Sequence, residues 1–291
     1  MFSEEGKKTV IRYYQDTFLH YYLLLNLRRH WGMHFGFYNK PHLTLDEAIL
    51  NTNRVLADKA GIKPGMKVLD AGCGVGGSAI WLAKNIGVYV TGITLIKDHC
   101  LRARKLASQL GVADKTEFLV RDFRETGFTK ETFDVVFAIE SVCHAEDKRD
   151  FLREAKRVLK PGGKLVVDDG FQKKEILSSL EEKEMAKWLK GWAVPNLATV
   201  SGFSSALKEL GFCNIRYEDV TQNVLPFSRW LYKRGRIAYP IAKVLEFLKV
   251  FSKTETGNTA GAIWQYKTLV KGLWAYMIFT ADKPQFTRTK R

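Results

Sequence analysis

An α/β protein built on a mainly parallel sheet is the fold this sequence predicts, and three observations predict it. Short apolar runs rich in β-branched residues alternate with helical patterns between residues 67 and 168, the order expected when helices carry the chain from one parallel strand to the next. Residues 68–77 read VLDAGCGVGG, an apolar run entering an acid and then a cluster of glycines, which reads as strand, turn and helix start. With 291 residues, 46% of them apolar, the chain is long enough to bury one enlarged α/β core.

The elements follow in order. Residues 9–27 carry Ile11, Tyr14, Phe18, Tyr21, Tyr22 and Leu25 at intervals of three and four, the spacing of a helix with one apolar face. Residues 30–38, HWGMHFGFY, are dense in aromatics and hold His30 and His34; they suit a strap packed on the main domain. A second helix is expected over 43–60, with Thr44 as N-cap and Glu47 placed for a capping box. Strands are expected at 67–70, 89–93, 116–120, 133–139 and 164–168, with helices at 77–86, 97–110 and 147–158 between them. Lys160, Pro161, Gly162 and Gly163 read as a turn into the fifth strand. After a helix over 201–210, stopped by Gly211, come strands near 213–220 and 273–280. Residues 221–272 separate those two strands, and a connection of that length in a compact domain is functional or disordered. Its aromatic and aliphatic content excludes disorder. The expected organisation is an N-terminal helical cap (1–60), an α/β core (61–220), an inserted lid (221–272) and a last strand with a polar tail (273–291).

Composition narrows the function classes. No apolar run approaches the ~20 residues that cross a bilayer, and the lipophilic stretch at 21–25 has no small-residue cleavage site after it. A cytoplasmic protein is the expectation. Cys73, Cys100, Cys143 and Cys213 lie far apart without a CxxC pair, so neither a metal site nor a disulfide framework is expected. A net charge of +15 fits nucleic acid, an anionic membrane surface or an anionic substrate. The absence of a basic arm with interleaved aromatics disfavours nucleic acid. Charge does concentrate at 225–253, where seven Lys or Arg stand against Glu246. There Pro240 suits the first turn of a helix on which Ile241, Val244, Leu245 and Leu248 share one face. A lid over an apolar pocket is the favoured reading of this stretch. Contact with an anionic bilayer is compatible with it, and a third reading has Lys233, Arg234 and Arg236 hold a substrate diphosphate. Oligomeric state is left open by the sequence.

Chemistry enters at the glycine turn. Gly72, Gly74, Gly76 and Gly77 allow positive φ and close approach of a ligand to the backbone, and the helix start beyond them offers free N–H groups. Dinucleotide folds use the same construction, but their ribose usually takes a carboxylate about twenty residues on. Here the second strand ends Gly92, Ile93, Thr94, Leu95, without an acid. The order DAGCGVGG instead resembles the motif of S-adenosylmethionine-dependent methyltransferases. With Asp122-Phe123, AIESVCHAED at 138–147 and EAKRVLKPGG at 154–163, the chain resembles the sterol C-methyltransferases and, nearly as closely, the tocopherol-type methyltransferases. The likeness covers residues 9–170 well. WAVP at 192–195, Pro226-Phe227 and LWAYMIFTADKP at 273–284 look like the tocopherol and terpenoid relatives.

The resemblance implies a class I methyltransferase fold: a Rossmann-like sheet of parallel strands plus one antiparallel terminal strand, N-terminal helices and a helical C-terminal lid insertion. It implies S-adenosylmethionine as cofactor, S-adenosylhomocysteine as product, and a lipophilic small-molecule acceptor beneath a mobile cap. On that likeness Gly72, Cys73, Gly74 and Gly76 approach the methionine part, and Asp70 orders the loop or reaches the methionine ammonium. Asp122 accepts the adenine amine, Phe123 packs beside the base, and Ile139 at the end of the fourth strand joins the cofactor set. Thr94 and His99 are the ribose residues, His99 standing where the family carries Gln. Glu140 and His144 match the family's Ile-Glu and Cys-His-Ala segments and are the acid–base pair, while Tyr14 and His34, with Tyr13 and Trp31, close the site. The expected reaction is methylation of a sterol- or isoprenoid-like carbon, in which a carboxylate or imidazole removes a proton. The alternative is O- or N-methylation of a prenylated phenol or alkaloid-like amine, where Glu140 or His144 only orients the nucleophile. Cyclopropane formation on acyl chains is disfavoured by His99.

Overall fold

The structure, a computed structural model, describes residues 4–285. The chain enters through α1 (Glu4–Leu24), whose first turn carries Glu4 and Glu5, charges that complement the helix dipole. A 3-10 turn at Leu27–Arg29 leads into the strap 30–38, where His30, His34, Phe35 and Phe37 are buried. Helix α2 (Leu45–Ala60) starts on the expected capping box: the Glu47 N–H donates to the Thr44 hydroxyl and the Thr44 N–H to the Glu47 carboxylate.

Then come β1 (Lys67–Ala71), α3 (Gly77–Ile86), β2 (Tyr89–Thr94), α4 (Lys97–Gln109), β3 (Thr116–Val120) and β4 (Phe133–Ile139). They are followed by α5 (Lys148–Val158), β5 (Leu159–Gln172), α6 (Ser179–Gly191), α7 (Val200–Glu209) and β6 (Cys213–Asp219). The chain ends with α8 (Thr221–Phe247), α9 (Lys253–Val270) and β7 (Trp274–Asp282). Among the described residues these strands make one sheet in the order β3-β2-β1-β4-β5-β7-β6. Neighbours pair in parallel except at β7, which runs antiparallel to both β5 and β6. This is the architecture the resemblance implied. The chain steps outward from β1 to β2 and then returns to place β4 on β1's other side, and ligands of open α/β sheets bind at such a switch point. Buried aromatics fill both faces, Phe118 and Phe137 on one, Phe151, Phe203 and Phe279 on the other.

Two expectations are corrected. The turn at 160–163 and the strand at 164–168 are one element, β5: Leu159 already pairs with Phe133 of β4, the Gly162 N–H donates to Lys283 O and the Lys283 N–H to Gly163 O, and β7 pairs onward from Lys164↔Asp282 to Gln172↔Trp274. The Lys-Pro-Gly-Gly stretch is an irregularity inside that strand, where the register against β4 shifts and Gly162 takes a φ of 77°. Pro240 does not begin a helix but lies inside α8, as does Pro226. An interior proline costs about 3 kcal/mol; burial of Val224, Phe227 and Leu231 on the same helix outweighs it, at ~1.5–3 kcal/mol for each fully buried side chain. The inserted stretch is therefore a helical hairpin, cross-linked by the buried Ser228 Oγ donating to Gln265 Oε1 at 2.6 Å. It is tied to the N-terminal helix by the Tyr13 hydroxyl donating to Asn258 Oδ1 at 2.8 Å. The end of the expected polar tail, 286–291, lies outside the described residues.

Candidate functional site

Two cavities meet above the carboxyl ends of β1 and β4. The narrower one is lined by the glycine loop, the end of β2, the Asp122-Phe123 step after β3 and the strap. The wider one, about 490 Å³, is walled by α1, the strap, α6, the helical hairpin and β7. Tyr14, Met33, His34, Glu140 and His144 line both. The four side chains expected to carry chemistry are thus brought together at the junction.

The narrow cavity has the polarity a charged nucleoside needs. Asp70 is buried and its Oδ2 has no partner among the described residues. Burial pushes its carboxyl up to about 7, opposed only by a bond from the Ala79 N–H. An orphaned buried acceptor of this kind is costly unless a ligand donor meets it, and an ammonium group fits. His99 is likewise buried with both ring nitrogens unpartnered; burial, with Arg102 nearby, lowers it to about 4, so the ring is neutral. It packs against Tyr14 and Phe18, ring centroids at 5.8 and 5.3 Å. Thr94 lines the same wall, its hydroxyl accepting from the Ile96 N–H at 3.2 Å. Gly72, Cys73, Gly74, Asp122, Phe123 and Ile139 are on the lining too. These residues fit S-adenosylmethionine: an acid with one unpaired oxygen at one end, unpaired imidazole nitrogens further along, and between them a glycine turn held by the Gly72 and Cys73 N–H groups donating to Ile93 O.

Three details modify the expected set. Gly76 is not on the lining; a Cβ there would meet Ala103 at 2.8 Å and Phe118 at 3.0 Å, so its place is behind the loop. Gly77 is on it, and its missing Cβ admits the strap, whose Trp31 carbonyl oxygen would stand 2.3 Å from a Cβ. Asp122 does face the cavity, but Arg124 bonds both its oxygens and Lys7 sits 3.2 Å from Oδ2. Burial works to raise its carboxyl, and these bonds prevail and hold it below the usual range.

At the junction Glu140 adopts a φ of 46°, left-handed backbone that costs on the order of 1–3 kcal/mol for such a residue. Its surroundings hold it there. The Glu140 N–H donates to Asp168 O at 2.8 Å. Its Oε1 accepts from the Phe35 N–H at 2.5 Å and from the Tyr276 hydroxyl at 2.6 Å. Burial raises the Glu140 carboxyl to about 8 against those two bonds, with Asp169 adding to the rise. His144 Nδ1 lies 3.0 Å from the Ala193 carbonyl oxygen and Nε2 lies 3.0 Å from the Tyr14 hydroxyl. A carbonyl only accepts, so the proton is on Nδ1 and Nε2 takes the Tyr14 hydrogen. Burial lowers His144 to about 4. His34 is arranged in the same way, Nδ1 to Phe35 O at 3.0 Å and Nε2 facing Ser78 Oγ at 3.5 Å, and burial likewise lowers it to about 4. Both imidazoles are neutral.

Sequence reasoning missed the floor beneath Glu140. Asp168 is fully buried, its Oδ2 3.3 Å from the Tyr276 hydroxyl, and burial with Glu140 and Asp169 as neighbours raises its carboxyl. Asp169 lines the wide cavity and accepts from the Cys143 and Gly170 N–H groups. Trp188 and Trp192 form the far wall. Two adjacent acids at the end of an apolar strand, and a tyrosine in the apolar last strand, were the available signals. Of the three basic residues proposed to hold a diphosphate, Arg234 lines the wide cavity, while Lys233 and Arg236 do not.

Comparison with known proteins agrees with this geometry. The profile of the family described as methyltransferase domain matches residues 69–167. A sterol 24-C-methyltransferase of Gibberella zeae is 32% identical over 256 residues, covering 82% of this chain and 64% of that protein. The chain therefore spans somewhat less than two thirds of that relative's length. A 2-methyl-6-phytyl-1,4-hydroquinone methyltransferase of Synechocystis sp. is 34% identical over 227 residues, covering 75% of this chain and 68% of that protein. Among solved structures, a geranyl diphosphate methyltransferase in complex with GPP and sinefungin superposes with a TM-score of 0.76 at 21% identity, covering 96% of this chain and 99% of that one; at that identity the likeness is one of fold. The chain belongs to the S-adenosylmethionine-dependent methyltransferases, in the group of the sterol C-methyltransferases and the tocopherol-type methyltransferases.

Proposed function

We propose that this protein transfers a methyl group from S-adenosylmethionine to a carbon of a lipophilic, sterol- or isoprenoid-like acceptor. The observation that carries the proposal is the meeting of a narrow cavity of about 90 Å³, into which the glycine loop, Asp70 and His99 converge, and a wide apolar chamber at Tyr14, Met33, His34, Glu140 and His144. When bound, the cofactor supplies an electrophilic methyl group on a sulfonium. The protein's share is alignment, which can lower a barrier by ~7–11 kcal/mol, and management of charge. Asp70 holds the cofactor's ammonium. Neutral His34 and His144 place no like charge beside the sulfonium. Methylation of an alkene leaves positive charge on the acceptor, and the ring faces of Tyr14, Phe35, Trp192 and Tyr276 on the chamber wall stabilise it. Glu140 then takes the proton: with Oε1 anchored by Phe35 and Tyr276, the other oxygen is the acceptor. The unpartnered indole N–H of Trp188 suits an acceptor that carries an oxygen.

A second reading, methylation at the oxygen of a prenylated phenol or at an amine nitrogen, draws support from His144, whose Nε2 lone pair is directed at the Tyr14 hydroxyl at the junction. Incubation with labelled S-adenosylmethionine and a panel of sterols, prenyl diphosphates, tocopherol-like phenols and amines, followed by mass analysis, separates the two. A carbon-bound methyl on an alkene acceptor is the expected product. An oxygen- or nitrogen-bound methyl selects the second reading, and no transfer despite cofactor uptake by calorimetry removes both.

A further inference from the structure

The rim of the wide chamber is apolar on its outer side as well as its inner side. Leu23 of α1 and Ile241 of α8 both line the chamber, yet they are 68% and 57% exposed. Outward from them the apolar surface continues through Leu19 on α1 and through Ile237, Val244 and Phe247 on α8, the last 85% exposed. Ile237, Ile241, Val244 and Leu248 recur at the four- and three-residue steps of one helical face, and that face is turned to solvent in place of the core. Phe251, at the end of the turn from α8 to α9, closes the rim against His20 of α1, ring centroids at 5.2 Å. An exposed apolar helical face beside a chamber mouth marks an interaction site.

The charges around the patch identify its partner. Lys233, Arg234, Arg236, Lys249 and Lys253 are exposed on the same hairpin. The carboxylates nearby are already engaged: Glu246 with Lys243 at 3.3 Å, Glu255 with His20 at 3.5 Å, and Asp16 facing Ser252 at 3.5 Å. We propose that this rim docks on an anionic lipid bilayer, with Ile237, Val244 and Phe247 in the acyl boundary and the lysines and arginines among the headgroups, so that the chamber opens onto the membrane. Apolar insertion combined with cationic attraction is the mode of an interfacial helix, and no helix of the described residues is long and apolar enough to cross a membrane. The purpose of the docking rests on the chamber being the acceptor site; the docking itself does not.

Co-sedimentation of the full chain with phosphatidylcholine vesicles, with and without about one third phosphatidylserine, tests it. The wild type is expected to pellet with the anionic vesicles and to be released by salt. Ile237→Glu with Phe247→Glu should abolish pelleting, and Arg236→Gln or Lys249→Gln should each weaken it about fivefold. Calorimetry with S-adenosylmethionine should give unchanged affinity for these variants, which touch neither cavity. Wild-type chain left in the supernatant with anionic vesicles overturns the proposal. So does pelleting by the double variant equal to that of the wild type, and so does a dimer on gel filtration that the double variant abolishes while vesicle binding is absent. The vesicle assay contains no acceptor, so its failure and a failure of the methyl-transfer reading are recorded separately.

Discussion

The two chambers are built by opposite means. The cofactor side comes mostly from strand ends and the turns directly after them, where residues adjacent in sequence remain adjacent in space, and it keeps Asp70 Oδ2 and both His99 ring nitrogens unpartnered. The acceptor side is assembled from α1, the strap, α6, α8, α9 and β7, and its junction polar groups are bonded to one another, Tyr14 to His144 and Tyr276 to Glu140. The contrast is physical. A site that receives a charged ligand leaves polar atoms waiting, whereas a site that receives an apolar ligand must satisfy most of its own first; the Trp188 indole N–H is an exception on the acceptor side. Changes on one side should therefore separate cleanly from changes on the other.

The largest separation is expected from Glu140→Gln. The amide still accepts from the Phe35 N–H and the Tyr276 hydroxyl, so the loop keeps its anchor, but it cannot take a proton. Turnover of an alkene acceptor should fall about 10²–10⁴-fold, the usual share of a positioned base, with cofactor affinity by calorimetry nearly unchanged. Equal loss of both would make Glu140 a holder of the cofactor loop and erase the division between the chambers.

Asp70→Asn should do the reverse. A charge-assisted bond contributes about 1.5–3 kcal/mol, so cofactor affinity should drop roughly ten- to hundredfold while turnover at saturating cofactor changes little. The wild-type acid, raised to about 7 by burial, must ionise to meet an ammonium. Binding below pH 7 should then release a proton, and affinity should rise as pH increases through about 7. Calorimetry in buffers of different ionisation enthalpy detects that proton. A pH-independent affinity identical in wild type and variant would take Asp70 out of the contact.

A third test uses pH on the acceptor side. Glu140 is raised to about 8 and acts as a base only when ionised, so kcat/KM, which reports the free enzyme, should climb tenfold per unit below about pH 8 and level off above it. His144 and His34, near 4, should add no step between pH 5 and 7. A profile already flat from pH 6 upward would mean that no proton leaves to Glu140, which is the outcome the O-methylation reading predicts if His144 only orients its nucleophile.

The same contrast explains what the sequence disclosed. The glycine loop, Thr94, His99, Asp122 and Phe123 were legible because each lies within a few residues of a strand end, and Glu140 and His144 follow the fourth strand in the same way. Asp168, Asp169 and Tyr276 were not, because their meeting depends on β7 slotting between β5 and β6 with Gly170 opposite Tyr276, a pairing across about one hundred residues of chain. Gly76 sits behind the loop against Phe118 and Ala103, a placement that a motif cannot distinguish from a glycine on the cavity lining. Local rules put proline at a helix start, and Pro240 departs from them because the buried apolar residues that carry α8 through it lie on turns nearer the N-terminus.

The smallest effect is expected at a tyrosine that the two chambers share. Tyr14→Phe keeps the ring between His99 and His144 and removes only the hydroxyl that donates to His144 Nε2. His144 stays oriented by the Ala193 carbonyl through Nδ1, so the loss is that of one ordinary hydrogen bond, about 0.5–1.5 kcal/mol. Turnover should fall by tenfold at most, and cofactor affinity should change by no more than that, since the ring face presented to each chamber survives. A fall beyond a hundredfold in kcat with cofactor affinity intact would show that the hydroxyl reaches the reacting atoms. In that event the Tyr14–His144 pair, rather than Glu140, would be the path by which the proton departs, and methylation at oxygen would become the better account of the wide chamber.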